Sequence, residues 1–335
     1  MSKPVNWGII STARIGWEKV IPAMQKADNV NIAAIASRNL DSAKTLAARL
    51  GIAKAYGSYE DLLADPEIEA VYNPLPNHLH VPLSLAALRA GKHVLCEKPL
   101  ALNAAQAGEL REAQAQSGKL LAEAFMVRHH PQWRRAREIV QSGALGEIRA
   151  IQTFFSYFNN DPANVRNQAD IGGGGLYDVG CYAIVTARFI FGAEPERCIG
   201  LFENDPVFGT DRLASGLAEF SGGRHLTFTT STQLVPYQRV QICGTKGRLE
   251  VKVPFNTEAG STTTLLIDDG TDLTGGNIRS QVLPSCDQYG LQGEAFSAAV
   301  RSGQALEYGL DDAIANMRVI DALFRSRHSG HWEKP

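Results

Sequence analysis

The sequence lacks the features that mark several classes of protein. It has 33 Lys and Arg residues against 35 Asp and Glu residues, a net charge of −2, and no Lys- or Arg-rich run, which argues against a nucleic-acid binder. No stretch of about 18 apolar residues occurs, so no segment is expected to span a membrane. The first residues show no signal-peptide cleavage pattern. We therefore expect a soluble, cytoplasmic protein.

Cysteine is also scarce. The five cysteines are odd in number and form no C-x-x-C pair, so we expect neither a disulfide framework nor a zinc site. His129 and His130 are adjacent, but neighbouring side chains diverge and no set of further ligands accompanies them. The sequence therefore predicts buried, reduced cysteines and no metal site.

The chain is long enough for about two domains, since a domain takes ~150 residues. Up to residue 124, short β-branched runs alternate with helical patterns. The strands are predicted at Val5–Ser11, Asn31–Ser37, Ala70–Pro74, Lys92–Glu97 and Lys119–Glu123, and the helices at Arg14–Lys26, Leu40–Leu50, His78–Ala90 and Asn103–Ser117. Such alternation is typical of a doubly wound parallel sheet. We therefore expect an α/β fold with a Rossmann domain over residues 1–124.

Residues 125–335 have a different pattern. Eight strand candidates follow one another with hairpin-length connections, which indicates a mostly antiparallel sheet with an open face. The candidates are Ile148–Phe158, Arg197–Phe202, Leu213–Phe220, Arg224–Thr232, Arg239–Cys243, Arg248–Val253, Thr263–Ile267 and Ile278–Val282. Helices are predicted near Gln132–Ser142, Leu176–Phe191, Leu291–Ser302 and Asp311–Arg327. This part is predicted to be an α+β domain for substrate binding and oligomerisation.

The first β-α turn is a candidate phosphate site. A helix amino terminus preceded by small residues attracts anions, and the usual fingerprint there is G-x-G-x-x-G. The matching residues are Ser11, Thr12, Ala13, Arg14, Ile15 and Gly16, with two of the three glycines replaced. Because the turn directly follows the first strand and opens a helix, it is interpreted as a dinucleotide site. An ordinary turn with a Ser or Thr cap is the alternative.

The end of the second strand bears on the choice of cofactor. An NAD site usually has a carboxylate here, whereas this strand ends in Ser37 and Arg38 and the next acid is Asp41. A guanidinium pairs well with a 2′-phosphate. The sequence therefore favours NADP over NAD, with a solvated surface arginine as the alternative reading of Arg38.

Two later segments are candidates for the chemistry. Lys98 lies between a strand end and Pro99, which indicates a rigidly held lysine at the carboxyl edge of the sheet, although Glu97-Lys98 could be a surface ion pair. After the glycine run Gly172–Gly175, Asp178 and Tyr182 lie four residues apart, on one face of the predicted helix.

Together these motifs resemble the Gfo/Idh/MocA family of oxidoreductases over essentially the whole chain. The resemblance is carried by the first turn, Pro76-Asn77-x-x-His80, Glu97-Lys98-Pro99, and the glycine run leading to Asp-x-Gly-x-Tyr. It implies a Rossmann domain, an open-sheet domain and Lys98 as the active-site lysine. Many members carry histidine where this chain has Tyr182. That departure resembles the branch that contains NADP-dependent D-xylose dehydrogenase, dimeric dihydrodiol dehydrogenase and glucose-fructose oxidoreductase, which also favours NADP.

The resemblance also suggests further contacts. The residues that it assigns to cofactor binding, besides those of the first turn, Ser37 and Arg38, are Leu75, Pro76, Asn77, His80, Glu97, Lys98 and Arg166. Relatives carry a Trp-Arg pair at the last position, but Val165 replaces the tryptophan here. Tyr289 is a candidate for the substrate pocket, with Lys98, Asp178 and Tyr182. Phe154, Phe155, Tyr157 and Phe158 are expected to be mostly core, with one ring available to stack on a sugar.

Oxidation of a hydroxyl group needs a base for its proton while the nicotinamide takes the hydride. Free tyrosine titrates near ~10 and needs a nearby cation to act at neutral pH. The hypothesis is therefore Tyr182 as acid/base, Lys98 as its cation and Asp178 as the orienting carboxylate, acting on a sugar or cyclic diol as in an aldose 1-dehydrogenase. The alternatives are a redox-assisted NAD-dependent glycoside hydrolase and a non-catalytic nicotinamide-binding sensor. A homodimer or homotetramer formed through the open sheet is expected.

Overall fold

The computed structural model describes residues 3–335. Its strands are β1 Val5–Ile10, β2 Val30–Ala36, β3 Lys54–Tyr56, β4 Ala70–Asn73, β5 His93–Cys96, β6 Leu121–Glu123, β7 Ile148–Phe158, β8 Pro195–Asn204, β9 Asp211–Phe220, β10 Arg224–Ser231, β11 Gln233–Gly244, β12 Arg248–Val251, β13 Thr263–Asp268 and β14 Arg279–Leu283. Its α-helices are α1 Ile21–Met24, α2 Leu40–Leu50, α3 Tyr59–Ala64, α4 His80–Arg89, α5 Ala104–Ser117, α6 Pro131–Gln141, α7 Cys181–Phe191, α8 Gln288–Ser302 and α9 Leu310–Ser329. None of the helices in this described part is long and apolar enough to cross a membrane.

The first six strands form one parallel sheet in the order β3-β2-β1-β4-β5-β6. This is the strand order of a doubly wound dinucleotide-binding domain, so the predicted fold class of this part is confirmed. Its helices follow local signals. For example, the Asn39 side chain accepts a hydrogen bond from the Ser42 amide at the start of α2, which ends at the left-handed residue Gly51.

Two details of this sheet differ from the prediction. The strand β3 and the helix α3 were not predicted, because a three-residue, half-buried edge strand carries no apolar run. The predicted helix Arg14–Lys26 is instead a wide π-helical turn over Gly16–Val20 followed by the short α1. Pro22 lies inside the predicted helix and has no amide proton to donate, so it is accommodated in the first turn of α1.

The chain divides into two compact units, and the first includes a segment from far along the sequence. It comprises residues up to Met126 together with Asp287–Ile314, whereas the sequence-based division placed all residues after 124 in the second domain. The reason is the packing of α8. The indole of Trp7 lies 5.3 Å from the ring of Phe296, centroid to centroid, and its Nε1 donates to Ser297 Oγ at 3.0 Å.

The second unit comprises Val127–Cys286 and Ala315–Pro335. It contains an eight-stranded sheet in the order β14-β13-β12-β11-β7-β10-β9-β8, in which only the pair β7 and β10 is parallel. The prediction of a mostly antiparallel sheet is therefore confirmed. The strand β11 begins six residues before the predicted Arg239, because a bulge between Gln233 and Tyr237 interrupts the alternation that sequence reading depends on.

One face of this sheet is covered and the other is open. All eleven residues of α7 are buried, which explains why its sequence is apolar around the whole helix. Along β7 the buried residues Ile151, Thr153 and Phe155 alternate with the more exposed Gln152 and Phe154. The face that carries Phe154 bounds a cleft of about 810 Å³.

Candidate functional site

In the first unit, the turn after β1 keeps the backbone shape of the glycine fingerprint. Ser11 has a φ of 94°, a left-handed conformation that favours glycine, and its Oγ accepts a hydrogen bond from the Ala13 amide at 3.0 Å. The Gly16 amide then donates to the Ala13 carbonyl at 3.0 Å. Arg14 is exposed and pairs with Glu18 at 2.7 Å. The replacements in the fingerprint therefore preserve the turn, and the geometry fits a pyrophosphate-binding segment formed by residues 11–15.

The end of β2 presents a hydroxyl and a guanidinium. The Ser37 amide donates to the Tyr56 carbonyl at 3.1 Å, and the Ser37 hydroxyl accepts from the Asn39 amide at 3.3 Å. Arg38 is exposed, and its side chain hydrogen bonds to the phenol of Tyr59. Because the phenol of Tyr59 is uncharged, it does not neutralise the Arg38 guanidinium. The end of β2 therefore suits a 2′-phosphate.

The loop after β4 is tied to the Lys98 segment by His80. Its ring is fully buried, with Nδ1 2.7 Å from the Pro99 carbonyl oxygen and Nε2 2.6 Å from the Leu75 carbonyl oxygen. Burial lowers the pKa of His80 to about 4, and the two carbonyl contacts oppose that shift. Both ring nitrogens of His80 are already engaged by backbone oxygens. Any effect of His80 on the cofactor is therefore indirect, through the positions of Leu75 and Pro99.

The Lys98 segment is held on both sides of the lysine. The Glu97 amide donates to the Asn73 carbonyl at 2.9 Å, and the Glu97 carboxylate accepts from the Tyr72 hydroxyl at 2.6 Å. Beyond the cis Lys98-Pro99 bond, the Leu100 amide donates to Glu123 Oε1 at 2.8 Å. Lys98 itself is half-buried at the carboxyl edge of the parallel sheet. These hydrogen bonds hold the backbone on both sides of Lys98, and its role as the active-site lysine stays a prediction.

Three more of the predicted residues belong to this unit. Pro76 and Asn77 are half-buried beside the short 3₁₀ turn Asn77–Leu79. Tyr289 lies near the start of α8 and packs against the core of the first unit, and burial together with the charge of Glu97 raises its pKa above the ordinary range. Its role as a substrate residue stays a prediction.

In the second unit, the glycine run lies against the backbone of residues 166–168. The Gly173 amide donates to the Gln168 carbonyl and the Gly174 amide to the Arg166 carbonyl, both at 2.9 Å. A Cβ atom on Gly173 would lie 2.6 Å from each of those carbonyl oxygens. Only glycine allows this approach, and it fixes the Arg166 segment next to the helical turn that carries Asp178.

Asp178 is the centre of a hydrogen-bonded cluster. Its Oδ2 accepts from the Tyr157 hydroxyl at 2.6 Å and from Arg166 Nε at 2.8 Å. Burial, and then the charge of Asp178, raise the pKa of Tyr157 far above its ordinary value, while Asp178 also raises the pKa of Arg166. Tyr157 was expected to be core or a stacking ring, whereas its hydroxyl is a direct partner of the predicted site carboxylate.

Tyr182 lies one turn beyond Asp178. Its ring packs against the stacked pair of Phe155 and Phe255, with centroid distances of 5.8 and 5.2 Å, and it is 5 % exposed. It interacts electrostatically with Arg166. Asp178 and Arg166 are therefore in direct contact, and Arg166 supplies a cation within the electrostatic range of Tyr182 in the second unit itself. The cofactor contact predicted for Arg166 stays a prediction.

Asp211 is a candidate that sequence reading missed. It is 3 % exposed, and its Oδ2 accepts from the Leu176 amide at 2.6 Å, at the start of the helical turn that carries Asp178. Burial raises its pKa to about 7, and backbone amides that donate to the carboxylate oppose the shift. Since Asp211 lies 35 residues after Leu176, no local motif signals the contact.

Within residues 3–335, no group of three or more His, Cys, Asp or Glu side chains is arranged to hold a metal ion. The five cysteines are all free thiols.

Comparison with known proteins agrees with both units. Residues 5–125 match the model of the oxidoreductase family with an NAD-binding Rossmann fold, and residues 133–250 match the GFO/IDH/MocA C-terminal domain. The chain is 48 % identical to an uncharacterized oxidoreductase of Rhizobium meliloti, with 98 % of each chain covered. It is 38 % identical to D-xylose 1-dehydrogenase (NADP(+)) 2 of Haloferax volcanii, covering 97 % of this chain and 98 % of that protein.

The fold is also shared with a solved enzyme structure. The 3-ketoreductase KijD10 of Actinomadura kijaniata, in complex with NADP and TDP-benzene, aligns with a TM-score of 0.90 and 32 % identity, covering 96 % of this chain and 98 % of that one. Family matches over both units and relatives of this similarity lead to one conclusion. The chain is an oxidoreductase of the Gfo/Idh/MocA family with an NAD(P)-binding Rossmann domain.

Proposed function

We propose that the protein is an NADP-dependent oxidoreductase that transfers a hydride between the nicotinamide and a hydroxyl-bearing carbon of a sugar or cyclic diol, as an aldose 1-dehydrogenase does. The observation that carries the proposal is the cluster of Tyr157, Asp178 and Arg166 beside Tyr182. It offers hydrogen-bonding groups and a proton-transfer phenol to an uncharged, hydroxyl-rich molecule.

The charge of this cluster supports a neutral substrate. The Arg166 guanidinium already donates to the Asp178 carboxylate, so the pair is close to neutral as a whole. An arginine that recognises a carboxylate or phosphate normally offers its donors to that group directly. We therefore expect hydroxyl groups, and no acidic group, to bind beside Asp178.

Support for NADP comes from the first unit. Ser11 and residues 12–15 fit the pyrophosphate, and Ser37 with Arg38 fits the 2′-phosphate. When bound, NADP supplies the nicotinamide ring that accepts or donates the hydride. Leu75, Pro76 and Asn77 form the loop expected to contact it, held in place by the buried His80.

The protein groups have separate tasks in this proposal. Tyr182 removes the hydroxyl proton during oxidation and returns it during reduction. Lys98 binds the reacting oxygen as a cation, and Asp178 orients the sugar while fixing Arg166. Two relatives support this chemistry at the level of substrate class, since one is named a D-xylose dehydrogenase and the other a 3-ketoreductase.

The test is a titration followed by an activity assay. NADPH and NADH are titrated while cofactor fluorescence is recorded, and then aldoses including D-xylose are added with NADP while reduced-cofactor absorbance is followed. We expect tighter binding of NADPH and turnover of at least one aldose. Binding with no net reduction of NADP would favour a glycoside hydrolase or a sensor, and the absence of binding to both nucleotides would refute the proposal.

Two matched variants test the acid/base assignment. Tyr182→Phe should lower kcat by about 10²–10⁴-fold, the usual contribution of a general acid/base. Tyr308→Phe removes a phenol that donates to Glu307 Oε1 at 2.6 Å and has no part in the proposed site, so it should retain kcat. Wild-type turnover in Tyr182→Phe would show that another group transfers the proton.

We also propose that a second copy of the chain covers the open sheet face. Phe158, Leu201, Val235 and Tyr237 are exposed apolar residues of strands β7, β8 and β11. Exposed apolar side chains clustered on one sheet mark an interaction surface. Light scattering should give a dimer or tetramer, and Leu201→Glu should shift it toward monomer, while a monomeric wild-type protein would contradict the proposal.

A further inference from the structure

The carboxyl group of Asp211 is built into the start of the helical segment that carries the candidate catalytic residues. Its Oδ2 accepts from the Leu176 amide at 2.6 Å, and the Gly175 amide also donates to the carboxylate. The Asp178 amide in turn donates to the Gly174 carbonyl at 3.1 Å. Asp211, the glycines and Asp178 are thus joined by consecutive hydrogen bonds.

The last two glycines of the run, Gly174 and Gly175, lie against Asp211. Gly174 has a φ of 122°, and a Cβ atom there would lie 2.0 Å from Asp211 Oδ1. A Cβ atom on Gly175 would lie 3.1 Å from the Asp211 carbonyl oxygen. The run therefore accommodates Asp211 on one side and the Arg166 carbonyl on the other.

The surroundings make the charge of Asp211 sensitive to pH. The charge of Arg327 on α9 favours the ionised form, and the phenols of Tyr157 on β7 and Tyr177 on the site helix lie within electrostatic range of Asp211. Burial outweighs Arg327 and raises the pKa of Asp211 to about 7. The group therefore changes charge in the range in which an enzyme is assayed.

We infer that Asp211 is a positioning residue, whose buried carboxylate holds residues 174–176 so that Asp178 and Tyr182 are presented to the substrate in the reactive arrangement. The inference rests on the proposed function, because it assigns catalysis to Asp178 and Tyr182. Asp211 acts through the backbone and touches no reacting group.

Asp211→Asn is the informative variant. The amide has nearly the same shape, but its nitrogen replaces an oxygen that accepts backbone N–H groups, and a nitrogen donor cannot accept them. Asp205→Asn is the matched control. Asp205 is a buried carboxylate of the same unit that accepts from the Val207 and Phe208 amides and from Gln233 Nε2, remote in sequence from the glycine run.

We expect Asp211→Asn to lower kcat about tenfold or more, since small displacements of reacting groups have such effects. The KM for NADP should change by less than about threefold, because a loss confined to the reacting arrangement acts mainly on kcat. Hydrogen exchange of a peptide covering residues 174–182 should become faster in Asp211→Asn and remain as in wild type in Asp205→Asn.

The pH profile separates positioning from a simple loss of stability. In the wild type, kcat should rise as pH increases through about 7 and the carboxylate forms. That rise should be absent in Asp211→Asn and present in Asp205→Asn. If both variants retain wild-type kcat and the same profile, or if both lose kcat equally, the inference is wrong. If the wild type oxidises no sugar and reduces no ketosugar, the proposed function fails and the inference fails with it.

Discussion

Arg301 is expected to stabilise the first unit by an amount that its contacts allow us to work out. Its NH1 and NH2 donate to the two carboxylate oxygens of Glu69, both at 2.6 Å. Nε and NH2 also donate to the carbonyls of Lys3 and Pro4 at 2.6 Å. A single guanidinium thus joins α8 to the segment leading into β1 and to the residue that precedes β4.

The size of the stabilisation by Arg301 can be worked out from the pKa of Glu69. The hydrogen bonds from Arg301, together with a weaker one from the Asn6 amide, lower that pKa from 4.5 to about 2 against the opposing effect of burial, and the whole shift would correspond to roughly 3 kcal/mol at ~1.4 kcal/mol per unit. The Glu69 side chain is 33 % exposed and that of Arg301 21 %, so solvent screening reduces the ion pair to about 1–2 kcal/mol. Two carbonyl hydrogen bonds add about 1 kcal/mol together. Arg301→Met should therefore cost about 2–3 kcal/mol.

The assay is calorimetry of the wild type, Arg301→Met, Glu69→Gln and the double variant. At ~2–4 °C per kcal/mol for a unit of this size, the transition of the first unit should fall by about 5–10 °C in Arg301→Met. Arg111→Met is the control, since Arg111 pairs with Asp311 at 2.7 Å but the two side chains are 55 % and 87 % exposed. That variant should change the transition by less than about 2 °C.

The pH dependence has a definite sign. The folded-state pKa of Glu69 is below its unfolded value, so the ion pair contributes fully above pH ~4.5 and its contribution is lost as pH falls toward ~2. The coupling between Arg301→Met and Glu69→Gln should therefore be measurable at pH 7 and vanish near pH 2. A coupling close to zero at pH 7, or a loss in Arg111→Met equal to that in Arg301→Met, would refute the reasoning.

Two further predictions concern the site segments. Gly174→Ala should lower the free energy of unfolding by more than ~2 kcal/mol and reduce activity, because its Cβ would lie 2.0 Å from Asp211 Oδ1 and its φ is 122°. Gly209→Ala is the control, with a φ of 71° and open space around it, and should lower the free energy of unfolding by only about 1 kcal/mol in thermal melting. Equal losses of stability in the two variants would show that backbone strain accounts for both, and that the contact with Asp211 adds nothing. Arg38→Ala should weaken NADPH binding about tenfold or more while leaving NADH binding almost unchanged in the fluorescence titration, and an equal loss for both nucleotides would place the 2′-phosphate elsewhere.

Most of the fold could be predicted because it depends on local pattern. All eight strand candidates of the second sheet are present, since alternating burial leaves a period of two in the sequence. The prediction failed where local pattern carries little information, as at β3, whose three residues are all half-buried. It also failed at the first helix, where the backbone of Gly16–Val20 follows a wider turn than the apolar spacing suggests.

The residues of the candidate site also divide into those that local sequence pattern predicts and those that it does not. Asp178 and Tyr182 could be placed on one face from their spacing, and Lys98 could be placed at a strand end. Tyr157 and Asp211 could not, because they approach Asp178 and Leu176 only through the pairing of β7, β10 and β9. The two residues of the first contact are 21 positions apart in the sequence, and those of the second are 35 positions apart. Contacts at such separations leave no recognisable pattern in a single sequence.

The position of α8 has a consequence for how the protein is made. Phe296 and Ser297, which complete the surroundings of Trp7, leave the ribosome only after every strand of the second sheet has been synthesised. At the usual rate of translation, the parallel sheet would wait roughly 10–30 s for this cover. During that interval the nascent chain displays apolar surface around β1 that the finished enzyme conceals. The first unit, although it begins first along the chain, is therefore completed only after the chain through Ile314 has been synthesised.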